Sequence, residues 1–364
     1  MTRIMRSDEE YLVIDLLRDM LVISTAACPK IYEDIRYVVF KKVPRDLGYV
    51  DLKQYCREIS RGLGLDHDET IIFLTAADIT RYIYEKEIYK DIKAEIYATI
   101  GIEHISCIGE EESHRINTIN IFVAINKTLS RVGLADLFRL VSEVKGLLIS
   151  LGGPLCINKP SIGTASDATA VASARDRSGE DFAGPATDVG IAVSRVMLRG
   201  FSKYLRDISL DKYVRYTIGL NGLEDLLRIT LKIYDKAPIP GLDRDLVERE
   251  LREEYMRMLK DPNILVFIRG VRLLEAYLSL NMMPIISLDE YVRDSPGLVV
   301  DELLGKSLAE YINGFKGLLT YYWIDRMKRE ELPELSRYPP LTDDLLASLI
   351  GSVLSRFYDK YTRK

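Results

Sequence analysis

ATAVASA at residues 168–174 and TDVGIAVSRVMLRGFSKYLRDI at residues 187–208 mark where this chain changes character. The first is short and apolar, bounded by Asp167 and Arg175, and reads as a strand. The second has apolar residues at helical spacing, with Thr187 as its N-cap and Asp188 in its first turn. Upstream, strand-like and helix-like segments mix. LVIST (21–25), TIIFLT (70–75) and INIFVAIN (119–126) read as strands. DLKQYCREISRGLGL (51–65) places Leu52, Tyr55, Ile59 and Leu63 on a helical face and stops near Gly62 or Gly64. LADLFRLVSEVKGLLISLG (134–152) is another helix, ending at Gly152-Gly153. Downstream of about Ile208, convincing strands are absent. Segments 243–261, 263–281, 299–312, 318–332 and 343–361 have helical periodicity, punctuated by prolines such as Pro262, Pro296, Pro333 and Pro339-Pro340. The fold this implies is an α+β N-terminal domain, a mixed sheet with covering helices, over 1–208. An all-α helical C-terminal domain over 212–364 follows, with the boundary near 207–214.

The bulk composition narrows the function classes. The 364 residues suffice for two ordinary cores. A net charge of −5 leaves no overall basic footprint for nucleic acid. The charge-free apolar run at 146–158 is shorter than the ~18 residues of a membrane span. The opening MTRIMRSDEEYLV carries acidic residues at once and lacks a signal-peptide core. Cys28, Cys56, Cys107 and Cys156 form no C-x-x-C pair, so reduced thiols in a cytoplasmic protein are expected. His67, His104 and His114 have no metal-ligand spacing. The oligomeric state is not legible.

Three acidic clusters stand out in the C-terminal half. VVDELLG carries Asp301-Glu302, WIDRMK carries Asp325-Arg326 and Lys328, and LTDDLLASLIG carries Asp343-Asp344. Each lies beside apolar residues at helical spacing, so neighbouring helices can bring them to one divalent cation. Asp301, Glu302, Asp343 and Asp344 are its candidate ligands, and Mg²⁺ suits an all-oxygen set that leaves room for water and phosphate. Lys328 and Arg326 are candidates to grip the phosphate, with Asp325 beside them. This points to metal-assisted hydrolysis of a phosphate ester. Gly305, one turn after Asp301, allows a helix or ligand to approach closely. A plainer reading stands beside this one. Acidic residues belong at helix N-termini for dipole reasons alone, with Thr342 as the cap before Asp343 and Asp344.

In the N-terminal half the clearest candidate is PSIGTASDATAV. Gly163, Thr164, Ser166 and Asp167 put backbone N–H groups and hydroxyls beside a carboxylate just before a strand. Asp167 is a candidate general base, although an ordinary Asx or Ser turn has the same composition. Glu143 and Lys145, two apart on a helix, cannot share a face, so one reaches a site and the other meets solvent. Asn117, Thr118 and Asn120 begin a strand and offer amide and hydroxyl donors. Thr187, between Gly184 and Gly190, sits at a helix N-terminus able to receive an oxygen anion. Ser24 and Thr25 follow a strand and offer hydroxyls, without a G-x-S-x-G setting.

Two resemblances organise these observations. LVISTA, INTINIFVAIN, SEVKGLL, IGTASDATAV and FAGPATDVGIAVSRV together resemble the adenosylcobinamide amidohydrolase family over about 10–206. The best-matched elements are T-I-N-I at 118–121, E-x-K at Glu143 and Lys145, and G-T-x-[ST]-D at 163–167. The family usually has Gly-Thr-Gly-Thr-Asp where this chain has Ala165 and Ser166. That resemblance implies hydrolysis of the amide joining a corrinoid ring to its aminopropanol arm, giving adenosylcobyric acid. The second resemblance covers about 214–364. D-E-x-x-G at Asp301, Glu302 and Gly305, D-R-x-K at Asp325, Arg326 and Lys328, and the pair Asp343-Asp344 resemble the archaeal α-ribazole phosphatase family, related to phosphatidylglycerophosphatase A. It implies removal of the 5′-phosphate of α-ribazole phosphate, in cobalamin nucleotide-loop assembly. The implied substrates are a corrinoid and α-ribazole phosphate. Two other readings remain open: a first half that binds corrinoid without hydrolysing it, and a second half that acts on lipid phosphates.

Overall fold

The computed structural model describes residues 1–48, 50–110, 117–157, 159–175, 179–220, 222–293 and 297–362; His114 and Pro296 lie outside them. The chain divides into two compact units. One comprises Met1–Gly153 and Ser161–Asp207, the other Pro154–Pro160 and Ile208–Lys364.

The first unit is built on a mixed sheet. Its strands are β1 (Arg3–Ser7), β2 (Tyr11–Ser24), β3 (Lys30–Lys42), β4 (Thr70–Thr75), β5 (Ile83–Tyr89), β6 (Ile92–Ile100), β8 (Ile119–Thr128) and β10 (Ala168–Ala174). Their order is β4-β3-β2-β10-β8-β6-β5, with β1 on β2. A small separate ladder joins β7 (Ser106–Cys107) to β9 (Ser161–Gly163). The helices are α1 (Leu52–Leu63), α2 (Arg131–Gly152) and α3 (Asp188–Arg206).

Period-two alternation decides which face each strand residue meets. Leu12, Ile14, Val38, Phe40, Ile71 and Phe73 enter one core with Phe122 and Ala170. Val13, Val39 and Ile72, the residues between, pack on the other face against Cys56 and Ile59 of α1. Both faces are covered there, so these strands read as continuous apolar runs. Helix α1 starts where Asp51 accepts the N–H groups of Lys53 and Gln54, and ends at Gly64 with φ +68°. Thr187 caps α3 by accepting Gly190 N–H, as its sequence position indicates.

The strands β3, β5 and β6 were not legible in the sequence. KIYEDIRYVVFKK carries charges through its first half, and only its later residues look like a strand. IYEKEIY of β5 puts Glu85 and Glu87 on its half-buried face, where they pair with Lys203 and Arg199 of α3, and leaves Tyr84 and Ile88 exposed, so no apolar face marks it as a strand.

The second unit is helical, as the sequence indicates. Its helices include α4 (Leu210–Ile218), α5 (Leu223–Tyr234), α6 (Arg244–Met258), α7 (Pro262–Ser279), α8 (Leu288–Val292), α9 (Val300–Glu331), α10 (Pro333–Ser336) and α11 (Pro340–Thr362). Helix α11 is buried on all sides from Leu341 through Ser355, which marks it as the centre of the bundle. Helix α9 is broken at Asn313 and Gly314, where Gly314 takes φ +58°. The break reverses the chain: Gly305 and Tyr321 would stand ~24 Å apart on a straight helix, yet they touch. Thr342 is not the N-cap expected. The helix begins two residues earlier at Pro340, and Thr342 is buried inside its first turn. Proline suits a first turn because its missing N–H would be unpaired there anyway.

Gly305 is required for this packing. A Cβ there would sit 2.9 Å from both Cζ and the hydroxyl of Tyr321. Gly305→Ala should therefore destabilise the second unit by about 1–3 kcal/mol through overpacking. Gly62→Ala, on a helix with nothing within 4 Å, should be neutral or stabilising by up to about 1 kcal/mol. Urea unfolding of the two variants checks the contrast.

Cys28 and Cys56 are free and buried. Cys107 and Cys156 each take part in a disulfide, which corrects the expectation of four reduced thiols. No local motif around either signals its oxidation. Among the described residues, no helix is long and apolar enough to cross a membrane.

Candidate functional site in each unit

In the first unit the parallel neighbours β8 and β10 begin side by side, Asn120 opposite Ala168. The residues just before each strand consequently meet. Asp167 Oδ1 accepts the Ile119 N–H at 2.8 Å and lies 2.5 Å from Thr164 Oγ1; its Oδ2 accepts from Lys145 Nζ at 2.6 Å. Thr118 Oγ1 donates to the Ser166 carbonyl at 2.8 Å and lies 2.9 Å from Asn120 Oδ1. Asn120 Nδ2 in turn donates to the Leu74 carbonyl at 2.8 Å. Gly163 adopts φ +153°, and a Cβ there would fall 2.0 Å from Asp167 Oδ2. Only glycine lets the lysine and the aspartate meet at that point.

The Lys145–Asp167 side chains are 15% and 10% exposed. Water screens such a pair far less than a surface pair. The turn at Ala165 and Ser166 is exposed, so the carboxylate lies close to solvent without facing it broadly. Asn117 adds a donor. It is buried, its carbonyl accepts from Ser166 Oγ at 2.8 Å, and its Nδ2 has no hydrogen-bond partner. A buried unpaired donor is costly and is explained by a ligand or water that accepts from it.

In the second unit three of the acidic clusters' oxygens gather. Asp301, Glu302 and Asp344 each offer a ligand atom within 4.8 Å of the others. Asp301 and Asp344 are buried, and Glu302 Oε2 is a buried oxygen with no hydrogen-bond partner. Burial, and then Glu302 beside it, pushes the Asp301 carboxyl up to about 8. Burial likewise raises Asp344. An all-oxygen set with an orphaned lone pair and crowded negative charge fits a hard divalent cation.

Lys328 stands beside this group. Its ammonium lies 2.7 Å from Asp325, 2.7 Å from Asp343 and 2.7 Å from Asp344. Burial works against its charge, and Asp343 and Asp344 more than offset that, so its pKa rises. Tyr321 donates its hydroxyl to Asp344 Oδ2 at 2.8 Å. Deeper still, Arg272 and Glu275 fix Thr342. Arg272 Nη1 donates to Thr342 Oγ1, and Glu275 Oε2 accepts the Thr342 N–H at 3.1 Å. This holds the first turn of α11, and with it the aspartates that follow.

Residues 1–208 match the adenosylcobinamide amidohydrolase family, CbiZ. The chain belongs to that family. A relative in Methanocaldococcus jannaschii, an uncharacterized protein, is 27% identical over 118 residues, 32% of this chain and 90% of its own length. Among solved structures, protein ypjQ from Bacillus subtilis is similar at 21% identity and TM-score 0.34, covering 43% of this chain and 98% of that one. The low temperature requirement C protein from Listeria monocytogenes is similar at 18% identity and TM-score 0.32, covering 44% of this chain and 91% of that one.

Within the amidohydrolase unit, the structure joins Asp167, Lys145, Thr164, Ser166, Thr118, Asn120 and Gly163. It does not bring Glu143 to them. Glu143 is exposed and pairs with Arg139 one turn back, at 2.6 Å, as two residues from Lys145 on a helix must. Ser24 is buried and its Oγ accepts Ala26 N–H at 3.1 Å, a local turn. Thr187 spends its hydroxyl on the cap, donating to the Gly184 carbonyl at 2.8 Å. In the helical unit, Asp343 is not part of the three-oxygen group; its Oδ1 accepts from Lys328. Burial nonetheless pushes Asp343 up to about 8. Arg326 is exposed, and at two residues from Lys328 it projects from another side of α9. Tyr321, Arg272 and Glu275 were not among the candidate site residues.

Proposed function

We propose that this chain carries two hydrolases of corrinoid metabolism. In the amidohydrolase unit, Asp167 takes a proton from the water that attacks the amide carbon of adenosylcobinamide. Lys145 holds that carboxylate in place, and Asn117 Nδ2 donates to the carbonyl oxygen as it becomes an oxyanion. The carbon–nitrogen bond breaks, and the proton passes from Asp167 to the departing aminopropanol nitrogen. Adenosylcobyric acid remains. The supporting observation is a nearly dry carboxylate with three donors, reached through a glycine that no larger residue can replace.

In the helical unit the reading is a metal-dependent phosphomonoesterase acting on α-ribazole phosphate. Asp301, Glu302 and Asp344 would hold Mg²⁺. When bound, the cation would neutralise phosphate charge and polarise the ester. Lys328 donates to Asp344 Oδ1 and Tyr321 to its Oδ2, so the two side chains fix that carboxylate. What carries this reading is the convergence of three carboxylates, one with an orphaned oxygen, beside a saturated lysine. The test is release of phosphate from α-ribazole phosphate by the purified chain with Mg²⁺. Release that stops with a chelator and returns with Mg²⁺ is expected. No release at any Mg²⁺ concentration would refute it.

A further inference from the structure

The helical unit holds a pocket of about 730 Å³ whose lining includes Lys328 and Asp343. Asp301, Glu302 and Asp344 do not line it; it adjoins them through Lys328, which lies 2.7 Å from Asp344, so an ester lying in it would meet the acidic group from that side. Counting donors removes one cation of that lining. An ammonium has three N–H bonds, and Lys328 stands at 2.7 Å from three carboxylates. It has no donor left for a substrate. Arg326, its neighbour in the D-R-x-K element, is exposed, does not line the pocket and leaves α9 from another side.

The other cations of the pocket wall are Lys159, Arg293 and Arg337. Arg293 ends α8, and Arg337 follows α10; both are exposed and both line this pocket. Arg337 gives one N–H to the Tyr338 hydroxyl at 3.0 Å and lies over that ring at 5.0 Å. The stacking orients the guanidinium and leaves other N–H groups of its fork for a ligand. Leu288, Val292 and Tyr338 line the pocket too. They supply an apolar surface for the body of an ester whose charged end meets the arginines.

We propose that Arg293 and Arg337, rather than Arg326 or Lys328, bind the anionic group of the phosphomonoester, with Leu288, Val292 and Tyr338 taking its apolar body. This rests on the phosphatase reading above. Two guanidiniums suit a phosphate because each can donate two parallel N–H bonds to its oxygens. Lys328 is left with a structural part, keeping three carboxylates, two of them buried, from repelling one another.

The experiment uses the full chain with Mg²⁺ and compares Arg293→Gln, Arg337→Gln and Arg326→Gln. Each is at an exposed residue, and amide hydrolysis by the other unit reports that the chain is intact. With α-ribazole phosphate as probe, Arg293→Gln and Arg337→Gln should each raise KM by about 10-fold or more, as expected for losing a charged hydrogen bond. Turnover number should change little, and inorganic phosphate should inhibit both variants less. Arg326→Gln should leave KM within about 2-fold of wild type. A KM raised by Arg326→Gln and unmoved by the other two would overturn the proposal while sparing the phosphatase reading. Should the wild type bind the ester in calorimetry without turning it over, loss of that binding in the two pocket variants would uphold the arginine assignment and defeat the hydrolytic one. Absence of both binding and turnover in the wild type would overturn both.

Discussion

Asp167→Asn should cut hydrolysis of adenosylcobinamide by about 10²-fold or more, because the amide cannot take the proton of the attacking water. Binding should persist, since the substituted side chain has the same shape and still meets Thr164 and Ile119 N–H. The Lys145 ammonium would lose its anionic partner in a poorly solvated place. Some loss of stability should follow, in the range of about 1–3 kcal/mol for an unpaired buried charge near the surface. Lys145→Met separates the two roles. If Lys145 only positions Asp167, its loss should lower the turnover number without weakening substrate binding. Retained full activity in Asp167→Asn would remove Asp167 from the chemistry.

Asp301→Asn should lower phosphate release from α-ribazole phosphate by at least about 10²-fold, the scale expected when a cation loses a charged ligand. Amide hydrolysis should be unchanged. The stability readout runs the other way. Without a divalent cation, the substitution removes one of the crowded buried carboxylates, so the helical unit should melt at the same temperature or higher. Adding Mg²⁺ should raise the melting temperature of the wild type, because a ligand that binds only the folded state stabilises it. The variant should show little such rise. Loss of both activities, with a lower melting temperature, would point to misfolding instead.

Much of this was legible before the fold was known, and the exceptions have physical causes. The turn before β10 could be read because glycine, hydroxyls and a carboxylate cluster within five residues. Lys145 and Glu143 could be separated in principle by helical geometry, but not which of them turns inward. That depends on how α2 packs. Asp343 and Asp344 could be placed on a helix, yet their division of labour depends on where the helix begins. Moving the start from Thr342 to Pro340 turns Thr342 inward to Arg272 and Glu275. Those two charges sit in a segment, NILVFIRGVRLLEAYLSLN, that reads as an amphipathic helix with solvated polar positions. In the fold they are buried, 1% and 0% exposed. Tyr321 escaped notice because a tyrosine beside apolar residues reads as core, and its hydroxyl finds Asp344 only after α9 reverses at Gly314. The edge strand β5 was missed because its charges, taken one by one, look like a loop.

The central claim is that the first unit of this chain hydrolyses the aminopropanol amide of adenosylcobinamide through the Asp167 site. The most direct measurement is mass spectrometry of the product formed in ¹⁸O-enriched water. The wild type should yield adenosylcobyric acid carrying one ¹⁸O in its new carboxylate, and Asp167→Asn should yield almost none in the same time. Adenosylcobinamide recovered intact from the wild type, while still bound by it, would contradict the account and leave a unit that binds the corrinoid without cutting it.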